Sequence, residues 1–122
     1  MAAEYKIYPD DHLIVATYSG VFTVEDILSL RQRILQDPDY RADFNVLDDV
    51  TRVEVIDADF SRMTPVPSGS IIKKGIRRAL VAKTDLQFGM ARTYQMLSEN
   101  AGHQFDVFRD YDEALAWIKL SE

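Results

Sequence analysis

Asp48 and Asp49 stand side by side, with Thr51, Arg52 and Glu54 close behind them. Paired carboxylates are the residue types that acid–base catalysis or a hard cation would use. Both uses need the two groups to converge on one point, and a magnesium ion would also need further oxygen ligands. At the end of a strand, neighbouring side chains point to opposite faces, so this pair is expected to diverge. His12 and His103 are the only histidines, and there is no Cys. His12 sits beside a turn and His103 follows Gly102 at a predicted helix end, where the helix dipole favours a cation. No Ser lies in a nucleophile elbow, and Gly69 and Gly75 are isolated rather than part of a phosphate-binding loop. These residues predict a protein that is not an enzyme and uses neither cofactor nor metal.

The basic residues are unevenly spread. Lys73, Lys74, Arg77 and Arg78 form one short run behind Ile71 and Ile72, in a protein of net charge −6. The run ends a segment, Thr64 to Gly75, that reads as a long loop with Pro65 and Pro67. Loops of this length in a small domain often carry function. An apolar pair followed by cations suits contact with an anionic lipid headgroup or with an acidic patch on a second copy, so Ile71, Ile72, Lys73, Lys74, Arg77 and Arg78 are candidate partner-binding residues. A third set, Phe88, Met90 and Tyr94, has the types and near-helical spacing to line a pocket for a small apolar ligand. The same pattern also describes ordinary core.

Composition bounds these readings. The chain has 122 residues, 47% hydrophobic and 28% charged, with 20 acidic and 14 basic residues. That suits one folded domain over residues 1–122, with a core sufficient without disulfides. The acidic balance works against nucleic-acid binding. No apolar run is long enough for a membrane span, and the N-terminal residues lack the pattern of a secretion signal, so a cytoplasmic location is expected.

Several elements must position these residues. Residues 4–8 and 12–19 read as strands of a hairpin around Pro9-Asp10-Asp11, closed by Gly20. Thr23 caps a helix over 24–36, with Glu25 and Asp26 in its first turn. Residues 43–48 read as a short strand, and 49–55 as loop or strand extension. A weak helix is expected over 57–63, then strands at 76–83 and 104–108. Helices are expected over 86–100 and 111–119, the first closed by Gly102. The order is β-β-α-β-α-β-α-β-α, an α/β fold with a mixed sheet of five strands and about four helices.

Four segments in this order resemble the STAS domain, and more closely its small stand-alone SpoIIAA-like group, a fold related to CRAL-TRIO. They are Leu13 to Gly20 before a capped helix; Val46-Leu47-Asp48-Asp49; Arg78 to Ala82 with Gly89 to Arg92; and Val107 to Asp110 with Glu113 to Trp117. The resemblance implies a regulatory protein acting through protein contact. In anti-sigma-factor antagonists a Ser or Thr after the third strand is phosphorylated. Here that loop would hold Asp48, Asp49, Thr51 and Arg52, and Thr51 is its only hydroxyl. The Asp-Ser-Gly type of loop is absent, and a phosphate among these acids would be repelled, so no phosphorylation switch is expected. The combined reading is a non-catalytic regulatory or adaptor protein that docks a protein partner or itself as a homodimer. The alternative is a carrier or sensor of a small apolar or lipid-like ligand.

Overall fold

A computed structural model describes residues 3–57, 76–98 and 104–119, with the side chains of residues 94 and 96–98 left aside. The expected helix over 57–63, the loop over 64–75 and His103 therefore lie outside the described residues, apart from Asp57. Five strands form one sheet in chain order: β1 (Ala3–Tyr8), β2 (Leu13–Phe22), β3 (Asn45–Ile56), β4 (Arg77–Val81) and β5 (Gln104–Phe108). β1 runs antiparallel to β2, and every later neighbour is parallel. Three α-helices lie among the described residues: α1 (Val24–Leu35), α2 (Asp85–Ser98) and α3 (Tyr111–Lys119). The fold class is α/β with a mixed sheet, as the alternation of periods predicts.

The helices divide between the two faces of the sheet. Val46, Val50 and Leu80 join Ile27, Leu30 and Met90 in one core, beneath α1 and α2. Leu13, Leu47, Ala79 and Val81 pack with Ala114 and Ile118 of α3 on the opposite face. A parallel sheet flanked on both faces must bury both sets of strand side chains, which gives near-continuous apolar runs such as Leu13 to Ala16 and Ala79 to Ala82.

Local chemistry fixes the connections. A single 3₁₀ turn over Pro9–Asp11 closes the hairpin, and His12 takes the left-handed conformation at φ 52° to end it. The Thr23 side chain accepts from the Asp26 amide at 3.1 Å, capping α1. Arg33 donates to the Ala3 carbonyl at 2.8 Å, and Tyr5 donates to Asp37 at 2.7 Å, fastening the end of α1 to β1. The hydrogen bond to Asp37 holds the Tyr5 hydroxyl above its ordinary pKa, and desolvation adds to this.

One boundary differs from the sequence reading and a second is decided. Gly20 does not close the hairpin strand; β2 continues to Phe22. β3 runs past residue 48 to Ile56, so of the two readings of 49–55, loop or strand extension, the extension holds. The pairing steps from Thr17↔Asp49 to Ser19↔Arg52, and from Gly20↔Val53 to Val21↔Val55. Each step gives β3 one extra residue, a bulge that breaks strict alternation and sharpens the twist. Gly20 sits between them at φ 67°, where a side chain is strained. Gly20→Ala is expected to lower stability by about 1–2 kcal/mol, the cost of a Cβ in the left-handed region. Urea unfolding monitored by circular dichroism checks this, and an unchanged midpoint would show that the bulge relaxes.

Candidate interaction site

Where β4 and β5 end beside β3, several polar residues lie together, the usual location of a site in an open α/β sheet. Here β3 contributes Asp48 to Arg52, the end of β4 leads to Lys83 and Thr84, and β5 leads to Arg109 and Asp110. Asp48 and Asp49 diverge as neighbours on a strand must. Asp48 turns toward α1 and α2 and is 3% exposed. Its Oδ2 accepts from Nε of Arg78 at 2.7 Å, and the Arg78 guanidinium lies 5.6 Å from the Phe105 ring centroid. Asp49 instead accepts from both the amide and the hydroxyl of Thr51, at 2.9 and 2.7 Å. This local bond satisfies the amide that the first bulge displaces.

Asp48, Asp49, Thr51 and Arg52 therefore lie within β3, not in a loop after it. Thr51 sits in extended backbone with its hydroxyl engaged by a carboxylate, rather than at a helix start. Among the described residues no group of three or more acidic, His or Cys side chains is arranged to hold a metal ion.

The basic run separates. Ile71, Ile72, Lys73 and Lys74 lie outside the described residues, whereas Arg77 and Arg78 belong to β4. Adjacent strand residues face opposite ways, so Arg78 enters the core beneath α1 and α2 and is 7% exposed. Arg77 turns to the other face. Its guanidinium lies 5.1 Å from the Trp117 ring centroid and donates to the Trp117 carbonyl. The expectation that these two arginines extend a loop contact surface is corrected: they join strands and helix inside the fold.

Phe88 and Met90 separate as well. Met90 is buried and borders a cavity of about 20 Å³ with Tyr18, Phe22, Ile27, Asp48 and Arg78. A space of that volume is water-sized. Phe88 is half-buried at the rim, with Arg109 at 4.3 Å and Arg92 at 5.1 Å from its ring centroid. Tyr94 lies in α2, and its side chain is among those left aside. His12 borders a separate cleft of about 280 Å³ with Asp10, Asp11, Asn45 and Lys119, and its ring stacks on Phe44 at 5.5 Å.

Gln87 is the residue that sequence reading missed. It is 1% exposed. Its amide nitrogen donates to the carbonyls of Thr51 and Val53 at 3.1 and 2.7 Å, and its oxygen accepts from the amides of Lys83 and Thr84 at 2.8 and 3.0 Å. β4 pairs with β3 only from Val46 to Asp49. Beyond that point one side chain replaces a strand, satisfying the β3 edge and the start of α2 together. A Gln three residues after Thr84, whose hydroxyl accepts from the Gln87 amide at 3.1 Å, is the capping-box pattern that could have revealed it.

The whole arrangement is similar to solved structures. One is an uncharacterized protein of the DUF3478 family with a SpoIIAA-like fold from Shewanella loihica. It is 19% identical, with a TM-score of 0.61 over 96% of this chain and 92% of that one. Another is an anti-sigma factor antagonist from Mycobacterium paratuberculosis, 15% identical, with a TM-score of 0.66 over the same shares of each chain. The chain thus has the SpoIIAA-like, STAS-type fold that its sequence resembles. No family model matches the sequence, and no curated relative does.

The buried pair makes a specific energetic statement. Removing one partner of a buried ion pair leaves an uncompensated charge, whereas replacing both with apolar residues is often neutral. Arg78→Met and Asp48→Leu are each expected to lower unfolding free energy by about 3–5 kcal/mol. The double substitution should recover most of that loss in a double-mutant cycle. Additive losses would mean that the two side chains act independently.

Proposed function

We propose that this protein is a non-catalytic binding protein, a small regulatory or adaptor protein that works through protein–protein contact. The observation that carries this reading is the small free volume that the described residues leave around the ion pair. Beneath α1 and α2 the ion pair and the apolar side chains border spaces of about 20 and 30 Å³, whereas small-molecule pockets span roughly 300–1,000 Å³. The larger cleft beside His12 sets Asp10, Asp11, Asn45 and Lys119 around Leu13 and Ile118, and those charges disfavour burial of an acyl chain.

Outward-facing apolar groups favour a macromolecular partner. Val21 and Val55 pair on the extension of β2 and β3, and both are about half exposed. Leu86 at the start of α2 is 57% exposed. The fold likeness to a protein named as an anti-sigma factor antagonist supports a regulatory role. Ile71, Ile72, Lys73 and Lys74 remain proposed contributors to the contact surface, with the isoleucines setting affinity and the lysines its salt dependence. No helix among the described residues is long and apolar enough to cross a membrane.

The carrier reading predicts uptake of an acyl chain, and a fluorescent fatty acid tests it. On titration with cis-parinaric acid, the protein is expected to give no saturable rise in probe fluorescence. A stoichiometric rise that Met90→Trp abolishes would replace the adaptor reading with the carrier.

A further inference from the structure

The exposed face of α2 has three features that its own fold does not use. Gly89 lies mid-helix on the surface, and a Cβ built there would meet nothing within 4 Å. Glycine inside a helix costs about 1 kcal/mol relative to alanine, and no neighbour among the described residues requires it. Leu86, one turn earlier, is 57% exposed. Asp85 is fully exposed, and its ion pair with the half-exposed Arg109 is long at 3.7 Å, so that pair contributes little.

The helical period orders these residues about Gly89. At 100° per residue, Asp85 and Arg92 fall on one flank of Gly89, while Leu86 and Thr93 fall on the other. The Thr93 hydroxyl is turned back to the Gly89 carbonyl at 3.0 Å. Arg92 is exposed; its described polar partner is Gln95, and its guanidinium lies against Phe88.

We infer that the occupant of this face is a second copy of the chain, docked through α2 in an antiparallel crossing at Gly89. An isologous contact must be self-complementary, with residue i meeting j and j meeting i. A two-fold axis at Gly89 satisfies this by charge: Asp85 of each copy meets Arg92 of the other on one flank. On the opposite flank Leu86 meets Thr93. The missing Cβ lets the two backbones approach at the centre, as small residues do at close helix crossings. One helix face buries less than the ~1,600 Å² of a standard interface, so the dimer is weak and concentration-dependent. This inference rests on the protein-contact reading and names one partner for it.

Sedimentation velocity of the full chain over a concentration series tests the dimer. The parent is expected to shift from monomer toward dimer as concentration rises. Gly89→Gln should remove that shift while the protein stays folded by circular dichroism, because the monomer has room for the side chain. Asp85→Arg and Arg92→Asp should each weaken association by about tenfold, the effect of making two like-charge contacts. The double substitution Asp85→Arg with Arg92→Asp should restore association, since the pairs re-form with reversed sign. Net charge alone predicts otherwise, because Asp85→Arg makes the protein less negative and would promote association. A parent that stays monomeric throughout overturns the dimer, as does association indifferent to Gly89→Gln or no recovery in the double variant. Those results leave contact with other proteins standing. Saturable binding of the fatty acid probe would instead remove the contact reading itself.

Discussion

The ion pair between Arg78 and Asp48 sets the middle of this molecule. It joins β3 and β4 diagonally, Arg78 opposite Val46 and Asp48 opposite Leu80, on the face that α1 and α2 cover. Two buried charges are tolerated because they meet at 2.7 Å and the guanidinium also lies over Phe105. The pair occupies space that apolar side chains would otherwise fill or a ligand would enter. Its geometry also fixes register: a shift of β4 by one residue would carry Arg78 to the α3 face and leave Asp48 uncompensated. Buried ion pairs are weak sources of net stability, so specifying one register is the contribution that the geometry supports here.

Past this pair, β3 leaves β4. The two bulges turn β3 along with β2, and Gln87 takes over where β4 ends. The α2 N-terminus is thereby pinned to the β3 edge by one buried amide. Arg109 adds a bond to the Lys83 carbonyl at 3.2 Å and lies over Phe88. The start of α2 is thereby held in place, while Leu86 and Gly89 stay exposed on its outer face. A rigid element with an unused face is what a docking surface needs, because little ordering is required on binding.

Much of this fold was legible in the residues because separate signals agreed. The hairpin carried turn chemistry between an alternating run and one rich in β-branched and aromatic residues, and α1 carried Thr23 with two acids behind it. Residues 49–55 read equally as loop or strand extension because the bulges put buried Val50 and Val53 three apart, which breaks strand alternation and matches a helical spacing instead. The arginine run misled for a related reason. A cluster of like charges reads as one patch, but on a strand Arg77 and Arg78 are sent to opposite faces. Arg78 could be recognised as a core residue only together with Asp48, thirty positions away. Phe88 and Met90 likewise sit two apart on a helix, which directs one to the rim and the other to the core.

The account holds that the interior is closed and that binding takes place at the surface, between proteins. Native mass spectrometry of protein freshly purified from its cells addresses both halves in one spectrum. The predicted result is the bare mass of the chain, its integral multiples, or a complex whose added mass is a polypeptide. A monomer carrying a stoichiometric small molecule that survives desalting would contradict the account.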